Sequence, residues 1–329
     1  MKINQKITAD WVLKFLKCFL VIITAGMLAC LFIILMRRHP FRDTTLLPDG
    51  KATAGIQTTE PALVSPTVTL TPTLTATYTL EPTPTIETTP TAQFGESFII
   101  GYSVEGRPLE VYQFGYGPRE RLIVAGIHGG YEWNTVALAE EMIDYLTENP
   151  ALIPPEVTLY ILKNLNPDGY AKARDATGRA NANDVDLNRN FDANWVIDWN
   201  RDVCFNAVHV TGGPEPGSEP ETQAIMSFIL SHKLEAMISY HSAGLGIFPG
   251  GIPAGPKSQM LAYYLSGLTP YAYPPKDIGC VYSGAMANWA ALNGVPSVDI
   301  ELSTHGDTDF WINKGVLDFF VKPDLGLGE

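Results

Sequence analysis

From Arg121 onward, short apolar runs alternate with stretches of helical period. Arg121 to Ile127 (RLIVAGI) reads as a buried strand, and Trp133 to Asn149 as an amphipathic helix stopped by Pro150. Val157 to Leu162 is a second strand, closed by the turn Asn166-Pro167-Asp168-Gly169. Ser218-Glu219-Pro220-Glu221 has the spacing of a capping box, which predicts a helix running to about His232. Ala236 to Tyr240 and Val295 to Ile300 are further predicted strands, while Pro256 to Leu268, Ser283 to Leu292 and Asp309 to Val321 are predicted helices. Strands alternating with helices imply an α/β fold: a single domain whose mostly parallel, mixed sheet is flanked by helices. In such sheets ligands bind beyond the carboxyl ends of the strands, where His128, His241 and Glu301 all fall.

The pattern is different ahead of this domain. Residues 18–36 (CFLVIITAGMLACLFIILM) are uncharged and apolar over about the 20 residues that a transmembrane helix needs, so a membrane span is predicted. Lys2, Lys6, Lys14 and Lys17 precede it while Arg37, Arg38 and Arg42 follow, so the positive-inside rule slightly favours residues 1–17 as a cytoplasmic tail. Residues 37–95 contain a Thr- and Pro-rich tract that cannot bury enough apolar surface to offset its ordering entropy, and are expected to form a disordered stalk. Residues 96–325 remain as one folded domain, expected to be monomeric and held outside the cytoplasm by a single pass through the cell membrane.

Charge and cysteine usage narrow the function classes. A net charge of −13 argues against nucleic acid and anionic lipid as partners. Cys18 and Cys30 lie in the apolar run, which leaves Cys204 and Cys280. They can pair in an oxidising compartment, or persist as two buried thiols in a reducing one.

The candidate chemistry starts at His128 and Glu132, in Ile127-His128-Gly129-Gly130-Tyr131-Glu132-Trp133, and at His241 after the run Ala236 to Tyr240. Two histidines and a glutamate suit catalytic zinc, because a fourth coordination position stays open for water. Taken singly, each has an ordinary reading: a histidine after a strand is often a hydrogen-bonded structural residue, and a glutamate in a first helical turn favours the macrodipole. Of the other histidines, His39, His209 and His232 have no comparable setting and are expected at the surface. His305 lies four residues after Glu301 and is a rival ligand if that segment is helical.

Several motifs occur in one order: Gly101-Tyr102-Ser103-Val104-Glu105-Gly106-Arg107-Pro108-Leu109, the Asn166–Gly169 turn, Arg179, Asp186-Leu187-Asn188-Arg189-Asn190-Phe191, Ser218 to Thr222, Tyr240-His241-Ser242 and Asp299-Ile300-Glu301-Leu302. This resembles the zinc metallocarboxypeptidases of the carboxypeptidase A type, peptidase family M14. The resemblance implies one zinc ion per chain on His128, Glu132 and His241, with Glu301 as the general base and acid. It also implies Arg179 as the stabiliser of the developing oxyanion, Asn188 and Arg189 as the grip on a substrate carboxylate, and Asp186 as the acid behind the first histidine.

The chain departs from the family pattern in places. Three residues rather than two separate His128 from Glu132, and Gly129 and Gly130 are expected to absorb the extra one at positive φ. No arginine lies between those ligands. Ungapped alignment puts Cys280 at the family's substrate-capping tyrosine, which makes Tyr282 the nearest candidate. Ala287 and Asn288 fall near the pocket for the terminal side chain, with no acid there to pair a basic residue. The implied activity is a carboxypeptidase acting on peptides or muropeptides with a free C-terminal carboxylate. A deacylase of N-acyl amino acids and an inactive carboxylate-binding domain are the alternatives; the run Val185 to Phe191 favours the peptidase, and Glu301 speaks against a pure binder.

Overall fold

The computed structural model describes residues 95–328. The tail, the apolar run and all of the stalk except residue 95 lie outside the described residues; among those described, no helix is long and apolar enough to cross a membrane. The strands are β1 (Ser97–Tyr102), β2 (Pro108–Phe114), β3 (Arg119–Val124), β4 (Val157–Leu162), β5 (Leu234–Ser242), β6 (Ile247–Pro249) and β7 (Ser297–Leu302). They form one seven-stranded sheet in the order β1-β2-β4-β3-β5-β7-β6. Its centre, β4-β3-β5-β7, is parallel. The β1-β2, β2-β4 and β6-β7 pairs are antiparallel. The sheet is therefore mixed, as expected.

Among the described residues six helices accompany it: α1 (Trp133–Glu148), α2 (Pro167–Lys172), α3 (Pro220–Ser231), α4 (Pro256–Ser266), α5 (Met286–Leu292) and α6 (Phe310–Phe320). Because successive strand side chains point to opposite faces, the central strands feed two separate cores. Ile123, Ile161, Ile238 and Tyr240 meet Met142 of α1, Leu265 of α4 and Phe320 of α6. Leu122, Val124, Leu162 and Met237 meet Ile225 and Ile229 of α3 and Met286 and Ala290 of α5. Burial on both faces explains why these strands read as continuous apolar runs. Arg121 is the exception within β3: its fully buried guanidinium donates to the carbonyls of Phe320 and Lys322 at the end of α6 and to Glu235. Carbonyls without partners at a helix C-terminus are a natural place for a buried cation.

Local departures from the sequence reading have physical reasons. Asn166-Pro167-Asp168-Gly169 is not a bare turn but the start of α2, where the Asn166 side chain accepts from the Gly169 N–H at 2.9 Å. Ser218 does not cap α3. The helix begins one residue later, at Pro220, and Ser218 Oγ donates to Glu219 instead. Glu219 and Glu221 are drawn to unpaired amides: Glu219 accepts from Asn181 and Asn183 at 2.7 and 2.8 Å, and Glu221 from Asn181 at 3.1 Å. They anchor the loop that carries Asp186 to Asn190. α5 starts at Met286 rather than Ser283, because Asn188 Oδ1 accepts the Met286 N–H at 2.8 Å and so caps it from another loop.

Candidate metal and substrate site

β3 ends at Val124, and the chain must then turn sharply to bring His128 and Glu132 to one point. Gly126 (φ +69°) and Gly129 (φ +49°) use the left-handed region that glycine tolerates. Gly130 does not; it is needed for space, since a Cβ there would sit 1.9 Å from the Ala173 carbonyl oxygen. The extra residue is therefore absorbed by one positive φ and one close backbone approach. Glu132 lands on the N-cap of α1 rather than in its first turn. His128 and Glu132 are both buried.

His241 arrives from β5, directly opposite Glu301 of β7 in the parallel register. The Nδ1 atoms of His128 and His241 stand 3.3 Å apart, Nδ1 of His241 is 3.3 Å from Glu132 Oε2, and Nδ1 of His128 is 2.8 Å from Glu132 Oε1. Bonds of about 2.0–2.1 Å at tetrahedral angles put zinc ligands roughly 3.3 Å from one another. The separation of the two histidine nitrogens already matches, and Glu132 offers a different oxygen to each, the 2.8 Å one through a hydrogen bond whose proton a cation would displace. His128, Glu132 and His241 thus fit zinc, and both histidines have an acid behind them: Nε2 of His128 is 3.3 Å from Asp186 and Nε2 of His241 is 3.4 Å from Asp299. His305 is not part of the cluster, because its Nδ1 meets Ser242 Oγ at 2.8 Å and its ring lies on Tyr131. His209 is exposed, as expected. His232 is half-buried instead, its ring 4.1 Å from that of Phe228.

Charge is concentrated here. Burial alone would push the Glu132 carboxyl up, but His128 and His241 outweigh it and hold the group below the ordinary carboxylate range. At Glu301 the balance is reversed: burial first, and then the charge of Glu132, outweigh the opposing charges of His241 and Arg179 and raise it to about 8. The opposite shifts keep Glu132 ionised, as a metal ligand must be, and leave Glu301 able to carry a proton.

Arg179 follows the 3-10 turn Ala176–Gly178, with its Nε donating to Asp186 at 2.8 Å and its guanidinium 4.2 Å from the Phe205 ring centre. Asp186 caps the 3-10 turn Leu187–Arg189 by accepting the Asn188 N–H at 3.0 Å. Arg189 is 3% exposed and donates to the Asn188 carbonyl at 2.8 Å, but its Nε has no partner among the described residues. Burial lowers its pKa, only partly offset by Asp186. Tyr282 is half-buried, its ring 5.5 Å from the Arg189 guanidinium and 5.3 Å from the Phe248 ring. Cys280, the residue that ungapped alignment favoured, is bonded to Cys204 instead.

His128, Glu132, His241, Glu301, Arg179, Asn188, Arg189 and Tyr282 line one cavity of about 610 Å³. Its wall also contains Tyr131, Phe205 and Asp299, which the sequence reading did not assign to the site. Asp299 adds an acid to the cavity that also contains Ala287 and Asn288. Its position two residues before Glu301 on a strand was the available signal, because a period of two puts both on one face. Phe205 lies outside regular structure, in a stretch with no periodicity to read.

A buried cluster of two histidines and a glutamate at the carboxyl edge of a parallel sheet, with arginines beside it, defines a metal-dependent hydrolase. The chain belongs to the zinc carboxypeptidase family, peptidase M14, whose family model matches residues 91–322. Murein peptide amidase A of Escherichia coli (strain K12) is 38% identical over 150 residues, covering 43% of this chain and 57% of the relative. Carboxypeptidase A2 of Rattus norvegicus is 36% identical over 174 residues, covering 46% of this chain and 40% of the relative. The crystal structure of the murein-tripeptide amidase from Escherichia coli O157 superimposes with a TM-score of 0.53 at 25% identity, covering 68% of this chain and 92% of that one. The chain spans about half the length of the curated relatives it matches.

Proposed function

We propose that the domain is a zinc-dependent carboxypeptidase that removes C-terminal residues from peptides bearing a free α-carboxylate, cell-wall peptides among them. Arg189 carries this reading. A buried guanidinium without an ion pair among the described residues is costly, and a substrate carboxylate beside it offsets that cost with two parallel hydrogen bonds. Asn188 assists: its side-chain oxygen Oδ1 accepts from the Met286 N–H, which leaves its side-chain NH₂ to donate. The similarity to a murein peptide amidase supports wall peptides as substrates.

Bound at His128, Glu132 and His241, zinc supplies a Lewis acid that polarises the scissile carbonyl and acidifies water. Glu301 takes the proton from water and delivers it to the leaving amine, a task suited to a carboxyl group held above its ordinary range. Arg179, fixed by Asp186 and covered by Phe205, steadies the negative charge that develops on the carbonyl oxygen. Asp186 also fixes the orientation of His128, and Tyr282 closes over the bound peptide from the side of Arg189.

A hydrolysis assay on paired peptides tests the assignment. The wild type should cleave a peptide with a free C-terminus and fail on its C-terminal amide. Arg189→Ala should lose about 2–5 kcal/mol of transition-state binding on the free acid, roughly 30- to several-thousand-fold in kcat/KM. Equal cleavage of acid and amide by the wild type overturns the reading. We further infer that residues 18–36 anchor the domain on the outer side of a membrane, which the Cys204–Cys280 disulfide supports because such bonds persist in oxidising compartments. Thiol titration of the full chain taken from cells without reductant checks this: two free thiols, Cys18 and Cys30, are expected, and four would place the domain in a reducing compartment.

A further inference from the structure

The two acids behind the zinc histidines are not equivalent. Asp186 is fully buried and both of its oxygens accept hydrogen bonds, Oδ1 from the Asn188 N–H at 3.0 Å and Oδ2 from Arg179 at 2.8 Å, with Nε2 of His128 3.3 Å from Oδ1 but not hydrogen-bonded. Asp299 also stands behind a histidine, but only loosely. Its Oδ1 is 3.4 Å from Nε2 of His241 and makes no hydrogen bond, while that same Nε2 lies nearer to Ser239 Oγ, at 3.1 Å. Among the described residues no lysine or arginine pairs with it. Its side chain is 15% exposed, and what it faces is the cavity. An acid whose whole task was to orient His241 would have no use for that opening.

The walls around it indicate what the opening admits. Phe248 is directly opposite Asp299 in the β6-β7 register, and the uncharged Pro249, Ala254, Ala285 and Ala287 line the same cavity. Asn288 is occupied on its oxygen by the Gly251 N–H at 3.0 Å. Small apolar side chains leading to a carboxylate suit a flexible alkyl stem with a positive tip, since such chains lay the stem on apolar surface and keep the charge on a polar partner. The two arginines do not compete for the acid: Arg179 is held by Asp186, and Arg189 has the task of meeting an α-carboxylate. A terminal residue with an α-carboxylate and a side-chain amine would therefore find one opposite charge for each.

Building on the carboxypeptidase reading, we propose that Asp299 makes the enzyme select substrates whose C-terminal residue carries an amino group on its side chain. Lysine at a protein terminus and a diamino acid at the end of a wall peptide present this same chemistry. The selecting contact is an ion pair in a partly closed, low-dielectric cavity, which strengthens it relative to a surface pair. Asp299 acts here as a specificity residue, and its contact with His241 makes it a positioning residue as well.

The test uses the zinc-loaded full chain and three peptides with the same preceding residues and a free C-terminus, ending in lysine, in diaminopimelate, or in norleucine, which lacks only the amine of lysine. A hydrogen-bonded charge contact predicts that one or both amine-bearing peptides exceed the norleucine peptide by about 10- to 100-fold in kcat/KM. Calorimetry should show the same order for the free amino acids, a readout that does not depend on turnover. Comparing the lysine and diaminopimelate arms identifies the protein or wall source. Asp299→Asn should bring the amine-to-norleucine ratio close to one, and Asp299→Glu should restore part of it; because this is a ratio within each variant, reduced zinc retention does not mimic it. A wild type that cleaves the norleucine peptide as well as both others overturns the proposal, as does a preference that survives Asp299→Asn. If that happens while amides remain uncleaved, only the proposed selectivity fails; if amides are cleaved as well, the carboxypeptidase reading fails with it.

Discussion

His241 and Glu301 face each other across neighbouring parallel strands, whereas Phe205 and Tyr282 ride on loops joined through Cys204 and Cys280. The floor of the site inherits its geometry from backbone hydrogen bonds and two apolar cores. The rim has little regular structure, and its covalent tie is that one disulfide. The difference separates two tasks. Metal binding and proton transfer need atoms fixed to a few tenths of an ångström, which strands provide; admitting a peptide needs a surface that can adjust, which loops provide. Disturbing the floor should therefore change zinc content and kcat, while disturbing the rim should mainly change KM.

Removing the metal or one of its ligands is the harshest disturbance of the floor. His241→Ala should reduce zinc from about one per chain to a small fraction, and chelation of the wild type should abolish hydrolysis. Metal analysis showing full occupancy in His241→Ala would exclude this ligand set. His305→Ala keeps all three ligands and should retain zinc and most activity, because it contributes only ring packing and one hydrogen bond near the mouth.

The same division governs what the sequence reveals. The floor was legible because continuous apolar runs announce strands buried on both faces, and ligands must gather at their carboxyl ends. The histidine and glutamate triad, Glu301, Arg179 and Arg189 accordingly meet in one cavity. The antiparallel edges were not predicted as strands: β6 is only three residues long, and the half-exposed β1 and β2 lack a continuous apolar run. The rim was the least legible. Tyr282 had to be chosen over Cys280 by proximity, and nothing in the local pattern indicates that Phe205 covers Arg179. Asp299 was overlooked for a different reason: an acid between Val298 and Ile300 looks like an interruption of the strand unless its face is compared with that of Glu301.

Glu301 tests the floor without removing the metal. Glu301→Gln keeps size and hydrogen bonding but cannot carry the proton, so kcat should fall by about 10²- to 10⁴-fold with zinc content unchanged. Near wild-type turnover would point to another base. A second measurement concerns the metal-free chain, where burial and Glu132 raise Glu301 from 4.5 to about 8. The folded chain then binds this proton more tightly than the unfolded chain does. The stability contributed is fully present below about pH 4.5 and is lost as pH rises through about 8. Denaturation of metal-free wild type and Glu301→Gln across that window should show the wild type losing stability more steeply with rising pH. Parallel profiles would mean that Glu301 titrates normally.

The smallest expected effect on chemistry comes from cutting the tie of the rim. Cys204 and Cys280 are 76 positions apart, so replacing both with serine frees a long loop in the unfolded chain and should lower stability by about 2–4 kcal/mol. The site should respond unevenly. Tyr282 lies two residues from Cys280, and Phe205 is next to Cys204, so both lose a restraint; His128, Glu132, His241 and Glu301 are held elsewhere in the fold. Arg179 keeps its 2.8 Å bond to Asp186 even if the Phe205 ring moves away. The double variant should thus keep its zinc and show a KM raised several-fold, on the order of 1 kcal/mol of lost binding, while kcat stays within about threefold of the wild type. Loss of zinc from this variant would show that rim and floor form one mechanical unit, and the separation drawn between them would have to be abandoned.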